Sequence, residues 1–465
     1  MNKELNVRVI NGEDIGNPEV AAMLQAFYSR SPMSIDERLK YLSDGEPTLN
    51  EAKVKAALKR YYFDYGHASI ADCGFSTVYI ENVSMLAAKV FQDDPLYNGQ
   101  ECSTRYLNFS KQQFLGGGEH PEQEQLILET WRQLYTEALP LLVEWAKAKY
   151  SPEYLVSSKI PEDKVQETWE KSCTAIAFDV ARGLLPCGAT TSLAWTGSLR
   201  RMRERLEQLA YHPLEEVRDT AAVVYRRMQE RHPNSFSECG LDLADGLVDP
   251  EHFYETTGQI VLHRGPCVNE VHRIVGARDL PRLLAQSLNA PKNLRERVID
   301  NAMYFSIEGG LDFGSFRDIQ RHRRGLNRLP IVGEQNSCVT LHSYYINILQ
   351  DVAPKVMTRV RDIFARVMTE FKDPIARQYL MPMMTVVAVT QYWSLGQLRY
   401  VLNLRSKTTV HPTLREWSHA LYNGVIAHAV NDESCSVIMP YLKVDRRGHY
   451  ETADRGNQTL KERQV

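Results

Sequence analysis

The sequence predicts an α+β chain built from two diverged copies of one domain, and three observations carry that prediction. Short landmarks recur in the same order along the chain, long stretches carry helical apolar spacing, and a stretch rich in Pro, Gly, Ser and Asp separates the recurrences. With 465 residues and 43% hydrophobic content, the chain can bury a large core and ordinarily divides into domains.

The first landmark is "TVYIENVSMLAAKVFQDDPLYNGQECSTRY" at 77–106, set against "YFSIEGGLDFGSFRDIQRHRRGLNRLPIVGE" at 304–334. The two align on Ile-Glu and on the Gln that precedes Asp93-Asp94-Pro95 and Arg321-His322-Arg323, with one residue of slippage. "LGGG" at 115–118 lacks the strand-turn-helix context of a dinucleotide fingerprint and reads as a flexible loop before a helix over 120–149. Further amphipathic helices are expected over 163–182, 350–372 and 413–430, their apolar faces implying helices packed on helices beside a sheet in each copy. "VARGLLP" at 180–186 is answered by "IARQYLMP" at 375–382, with Arg377 as the echo of Arg182. "SLRRMRERLEQLAYHPLEEVRD" at 198–219 parallels "QLRYVLNLRSKTTVHPTLREWS" at 397–418, sharing Leu-Arg and a His-Pro thirteen residues on. The boundary falls near 235–250, in "HPNSFSECGLDLADGLVDP", which gives copies of 1–240 and 250–465.

Charge and cysteine usage exclude several function classes. Lys+Arg 55 against Asp+Glu 58 gives a net charge of −3, without the global basic field that nucleic-acid binding requires. No apolar h-region follows the N-terminus and no apolar run approaches the ~18–20 residues that span a bilayer, so a cytoplasmic protein without a membrane partner is expected. Cysteines 73, 102, 173, 187, 239, 267, 338 and 435 form no C-x-x-C pair and read as reduced thiols, with no metal site.

The positive charge is local. Residues 317–328, "RDIQRHRRGLNR", hold five arginines and one histidine. Read as a helix, Arg317, Arg321, Arg324 and Arg328 fall at i, i+4, i+7 and i+11 on one face, while Phe313, Phe316 and Ile319 point to a core. Like charges stacked in this way repel by a few tenths of a kcal/mol per exposed pair, so an anion opposite them is favoured, and guanidinium forks match phosphate oxygens. A solvated basic face is the alternative.

Arg321-His322-Arg323 and the Glu-x-Ser-x-Arg-Tyr of Glu101, Ser103, Arg105 and Tyr106 together resemble the signature of the flavin-dependent thymidylate synthases, where both pieces lie on one continuous motif. Here the motif is divided. The N-terminal copy has Asp93-Asp94-Pro95 in place of Arg-His-Arg, and the C-terminal copy has Ile331, Val332, Gly333 and Glu334 in place of Ser-x-Arg-Tyr. The resemblance implies one complete composite site and one dead one, on a thymidylate-synthase-complementing type of domain present twice. It assigns Arg321, His322, Arg323 and Asn327 to the flavin, and Glu101, Ser103, Thr104, Arg105, Tyr106 and Arg317 to the nucleotide. The same resemblance implies that Arg182 and Arg405 contact the substrate and act in catalysis. The implied reaction is reductive methylation of dUMP at carbon 5 with FAD, NADPH and methylenetetrahydrofolate, in a homodimer that forms a pseudo-tetramer.

The family's His-x-Ser-x-x-Glu-His stretch appears as "HASIADC", keeping His67 and Ser69 but placing Asp72 and Cys73 at its end, and "RERVIDN" in the other copy has no histidine. Cys102 has no base placed for it by the sequence and reads as an inert thiol rather than a nucleophile. Two alternatives stand beside the main reading: a flavoenzyme of this lineage acting on another pyrimidine nucleotide, and an inactive nucleotide-binding pseudoenzyme.

Overall fold

The computed structural model describes residues 17–29, 35–43, 68–105, 107–236, 254–255, 266–275, 279–291, 294–300, 302–327, 329–333, 339–429, 433–451 and 461–462. Tyr106, His67, Arg328, Glu334 and most of the expected 235–250 boundary lie outside the described residues. The chain divides into two compact units. Unit 1 is 1–81, 96–100 and 193–250, and unit 2 is 82–95, 101–192 and 251–465.

The N-terminal copy contributes β1 (Phe75–Ser84), α1 (Met85–Phe91), β2 (Asn98–Glu101), α2 (Pro121–Lys149), α3 (Glu162–Ala181), β3 (Thr190–Ser198), α4 (Leu199–Leu209) and α5 (Glu215–Arg231). The C-terminal copy contributes β4 (Cys267–Arg273), β5 (Met303–Asp312), α6 (Phe313–Ile319), β6 (Leu326–Asn327), α7 (Ser343–Val352), α8 (Pro354–Glu370), β7 (Val386–Ser394), α9 (Leu395–Arg405) and α10 (Pro412–Ala429). The strands form a three-stranded sheet of order β1-β3-β2 and a four-stranded sheet of order β4-β5-β7-β6. The second sheet is antiparallel, with β7 paired to β5 from Val386↔Asp312 to Ser394↔Tyr304. The fold is α+β, as expected.

The duplication is written in the element lengths. β1 and β5 each have 10 residues and run directly into helices of 7, and β3 and β7 each have 9 residues and run directly into helices of 11. In all four places the last strand residue caps the helix. Ser84 accepts from Ala87 N, Ser198 from Arg201 N, Asp312 from Ser315 N and Ser394 from Gln397 N, each occupying a donor that the first turn leaves unpaired.

A pseudo-two-fold axis relates the copies within unit 2. Pro186 and Pro382 face each other in an antiparallel bridge, and hydrogen bonds radiate from it in equivalent pairs. Cys187 N donates to Met381 O and Met383 N to Leu185 O, both at 2.8 Å; Gly188 N donates to Tyr379 O at 2.8 Å and Met384 N to Gly183 O at 3.1 Å.

This symmetry corrects two alignments made from the sequence. The 3₁₀ turns that precede the axis begin at Arg182 and Gln378, so Gln378, not Arg377, is the counterpart of Arg182. Arg377 is fully buried and donates to the carbonyls of Phe371 and Gly333. The equal lengths of α4 and α9 also set Arg405 opposite Leu209. The C-terminal copy therefore holds extra residues between that helix and its His-Pro, and alignment on Leu-Arg alone hid them.

Helix α2 matches its expected span and buries Ile127, Trp131, Leu134, Tyr135, Ala138 and Leu142 along one stripe, with Trp131 Nε1 donating to Leu380 O at 2.9 Å. Helices α3 and α10 also fall where expected. The expected 350–372 helix is two helices instead, because Pro354 lacks an N–H and holds Ala353 out of the helical region at φ −140°, ψ 63°. The glycine loop at 115–118 is packed rather than free. Leu115 N donates to Gly188 O, and a Cβ on Gly117 would fall 2.4 Å from Ala376 O.

The arginine-rich stretch is the main departure. Phe313, Phe316 and Ile319 are buried as expected, but α6 ends at Ile319, residues 320–325 turn, and Leu326–Asn327 join the sheet against Tyr392 and Gln391. Gly325 fixes the turn, since a Cβ there would lie 2.4 Å from Tyr392 O and 2.6 Å from Trp393 Cδ1. Arg317 stays on the helix, and Arg321 and Arg324 lie in the turn beyond it. The turn spreads the charges that one helical face would have stacked.

Candidate nucleotide site

Counting from the caps Ser84 and Asp312, Asp93-Asp94-Pro95 occupies the positions of Arg321-His322-Arg323, and Lys89 that of Arg317. The two capped helices meet within unit 2. Gln320 Nε2 donates to Lys89 O at 3.0 Å and to Asp93 Oδ1 at 3.2 Å, and Arg323 donates to Gln92 O at 3.4 Å through both Nε and Nη2.

Glu101 is the hub between the copies. Its side chain is 1% exposed and receives Arg317 Nη2 at 2.5 Å, Lys89 Nζ at 2.7 Å and Gln92 Nε2 at 3.0 Å. Burial raises its pKa, but Arg317 and Lys89 outweigh burial and bring it down to about 2. Lys89 is lowered to about 8, by burial first and by Arg317 and Arg321 against the pull of Glu101. Arg317 also donates to Thr104 Oγ1 at 3.3 Å, so a C-terminal arginine touches two residues of the N-terminal motif. Its Nε is buried without a partner.

Arg105 makes a bidentate pair with Asp179 on α3, Nε to Oδ1 at 2.7 Å and Nη2 to Oδ2 at 2.9 Å, and Nη2 reaches Thr409 O at 3.1 Å. Ser103 Oγ accepts from Arg105 N at 3.2 Å, which shapes the turn that presents the guanidinium. Arg182 is 1% exposed; its Nη2 donates to Ser315 Oγ at 2.9 Å and lies 3.9 Å from Asp312 Oδ2. Its Nε, like Asp312 Oδ1, is buried without a partner.

Arg405, at the end of α9, donates from Nε to His322 Nε2 at 2.8 Å and from Nη2 to Asp318 O at 2.6 Å. The accepting nitrogen carries no proton, so His322 is neutral with its hydrogen on Nδ1. Burial first, then Arg405, lowers its pKa to about 3. Asn327 brackets the turn, donating to His322 O at 2.8 Å and accepting from Trp393 Nε1 at 3.2 Å. Arg321 is exposed and 4.0 Å from Asp318 Oδ1, and Arg324 pairs with Asp300.

Asp318 ties the cluster together. Burial opposes its ionisation, but Arg405, Arg321, Arg182 and Arg105, in that order, hold its carboxyl well below the usual range. Two of those arginines come from each copy. The sequence reading missed Asp318, Asp179, Lys89 and His411. Asp318 had a signal, since it sits one turn before Arg321 inside the arginine stretch; Asp179 had none, because only the tertiary fold brings it to Arg105.

A small cavity is lined by Leu86, Lys89, Val90, Phe313, Leu329, Pro330 and Gln378, with Val332 N bonded to Gln378 Oε1 at 3.0 Å. Asp72, in unit 1, pairs with Arg200 at 3.1 Å, and the neighbouring Cys73 thiol is raised by burial and then by Asp72. Among the described residues no group of His, Cys, Asp and Glu could hold a metal ion, and no helix is long and apolar enough to cross a membrane.

Residues 15–234 match a family model described as thymidylate synthase complementing protein. The match falls on the N-terminal copy, which is similar to that family. Relatives extend across both copies of the chain. It is 25% identical over 510 residues to a UPF0159 protein of Chlamydia muridarum, with 92% of each chain covered, and 23% identical over 480 residues to one of Chlamydia pneumoniae, with 88% of each covered. One from Thermoplasma acidophilum is 21% identical over 474 residues, covering 86% of this chain and 92% of its own. Among solved structures, it is similar to a flavin dependent thymidylate synthase ThyX from Helicobacter pylori complexed with FAD and dUMP, with TM-score 0.28, 18% identity, and coverage of 48% of this chain and 95% of that one.

Proposed function

We propose that the chain binds the uracil nucleotide dUMP at the composite site and methylates it reductively at carbon 5, with FAD, methylenetetrahydrofolate and NADPH. The observation that carries this reading is the pairing of complementary motif remnants inside one chain. Arg317 contacts Glu101 and Thr104, while Arg105 and Arg182 share Asp318 with Arg321 and Arg405. Six cationic side chains, Lys89, Arg105, Arg182, Arg317, Arg321 and Arg405, stand among four carboxylates, Glu101, Asp179, Asp312 and Asp318.

The donor set fits the phosphates of a flavin dinucleotide as well as those of a nucleotide. Arg321 and Arg323, with the His322 turn between them, form its outer rim, and the unpartnered Nε atoms of Arg182 and Arg317 mark buried donor capacity. When bound, flavin supplies the hydride and carries the one-carbon unit. The chain's own groups hold anions, orient the pyrimidine and keep His322 neutral beside Arg405. No side chain is needed as a nucleophile. In this reading each chain has one working site, built from 1–240 and 250–465, and a homodimer restores the four-copy arrangement.

The test is direct. Purified protein supplied with FAD should show a flavin spectrum that NADPH bleaches, and should convert dUMP to dTMP only when methylenetetrahydrofolate is added. A protein that takes up no flavin and still binds dUMP would overturn the enzyme reading in favour of a nucleotide-binding module.

A further inference from the structure

The C-terminal segment Leu442–Glu451 is the strongest feature that the proposed chemistry does not use. It is tied down at several points. Asp445 N donates to Ser406 Oγ at 2.8 Å, Arg415 Nη2 donates to Asp445 O at 2.9 Å, and Tyr154 Oη donates to His449 O at 3.0 Å. The segment ends at Tyr450, which is 1% exposed and packs edge-on against Tyr150 with ring centroids 5.8 Å apart. Its hydroxyl donates to Asp179 Oδ2 at 3.1 Å. Asp179 is the carboxylate that clamps Arg105.

The backbone at Tyr450 is an independent observation. Its φ is +63°, in the left-handed region, and among the described residues only Asn82 is another non-glycine residue there. An L-residue at such a position is strained by roughly 1–2 kcal/mol, and the strain persists only where the surroundings fix it. Glycine would remove the strain and the phenol together. The side chain kept at this cost is the one whose oxygen meets Asp179.

From the other side, His411 Nε2 lies 2.9 Å from the Asp179 carbonyl, which can only accept, so Nε2 carries the proton and Nδ1 accepts from Thr413 N at 3.3 Å. Burial first, then Arg182, brings His411 to about 3, so the ring stays neutral. Asp179 is therefore held at its carboxylate by the C-terminal segment and at its backbone by the loop that follows α9.

We infer that Tyr450 is a positioning residue for the nucleotide site, acting through Asp179 to fix the Arg105 guanidinium, and that the C-terminal segment is part of the binding machinery. The inference rests on the reading of Arg105 as a nucleotide ligand. A hydrogen bond to a charged group gives the scale, so Tyr450→Phe should weaken dUMP binding about 10-fold in the full-length protein, measured by calorimetry. The same substitution in an Arg105→Ala background should change affinity less than twofold, because its effect travels through Arg105. A merely structural role would weaken both backgrounds alike, and equal losses overturn the inference.

A second readout needs no ligand. In ¹⁵N-arginine-labelled protein the Arg105 Nε–H proton, clamped to Asp179, should exchange slowly, and Tyr450→Phe should speed that exchange several-fold. Unchanged exchange overturns the inference whatever the nucleotide result. If the wild-type protein binds no dUMP while the exchange responds as expected, the substrate assignment fails and the positioning of Arg105 by Tyr450 stands.

Discussion

Replacing Glu101 with Gln isolates the hub of the composite site. The substitution keeps shape and hydrogen-bonding capacity but removes the one carboxylate that lies between Lys89 at 2.7 Å and Arg317 at 2.5 Å, with all three side chains no more than 6% exposed. Removing one partner of a buried pair costs roughly 3–5 kcal/mol, because the partner charge is left uncompensated. Linkage gives a similar scale. A carboxyl lowered from 4.5 to about 2 contributes about 3 kcal/mol at neutral pH. That contribution is complete above the unfolded value and disappears as pH falls through the folded one, so the wild-type protein should lose stability between about pH 4.5 and pH 2.

Urea titration of Glu101→Gln at pH 7, followed by tryptophan fluorescence, should therefore show a loss of about 3 kcal/mol. Lys89, held at about 8 partly by Glu101, should drop further in the variant and shed its proton near neutrality, so the loss should shrink when pH is raised from 6 to 9. Adding Lys89→Met removes the surplus charge and should recover at least half of the loss. A cost under about 1 kcal/mol, or no recovery in the double variant, would refute the view that Glu101 is held by charge pairing across the copies.

Further outcomes follow from the same geometry. Arg105→Ala and Arg405→Ala should each weaken dUMP binding by roughly 10- to 150-fold while flavin stays bound, whereas Arg321→Ala and Arg323→Ala should lower flavin retention; equilibrium dialysis of each ligand separates the two groups. Calorimetry should give one dUMP per chain, since each copy keeps only one half of the divided motif, and a stoichiometry of two would contradict that division. His322 and His411 both sit at about 3, so neither should titrate between pH 5.5 and 7.5; an inflection in that range that His322→Asn abolishes would show His322 to be protonated. Gly117→Ala should cost at least about 1–3 kcal/mol in thermal or urea unfolding, because its Cβ would press on the Ala376 backbone.

What could be read from the sequence was whatever depends on local spacing. The stripe Ile127, Trp131, Leu134, Ala138 announces α2, and the placing of Asp93-Asp94-Pro95 opposite Arg321-His322-Arg323 holds when counted from the helix caps. Those caps were themselves legible, since Ser84, Ser198, Asp312 and Ser394 each stand at the head of a helix, and they would have aligned the copies better than the Leu-Arg and Ala-Arg pairs did. The end of α6 was not legible. Arginine spacing continues past Ile319 at helical period, and nothing local reveals that Gly325 must lie against Tyr392 O. The partners of the arginines were equally hidden, because Asp179 and Arg105 become neighbours only through packing. Charge density marked where the cations gather, but two of the carboxylates beside them, Glu101 and Asp179, come from other elements.

The bridge between Pro186 and Pro382 has a consequence for how this protein can change. In a symmetric dimer of identical chains, every substitution near the axis is made twice, and a residue harmful to one site harms both. Here the residues flanking the axis are Leu185 and Cys187 on one side and Met381 and Met383 on the other, joined by the same hydrogen bonds although the side chains differ. Covalent linkage removed the requirement that both faces read the same text. Gln378 stands on one face where Arg182 stands on the other, and neither residue has to be tolerated in duplicate. Selection could then act on each face alone.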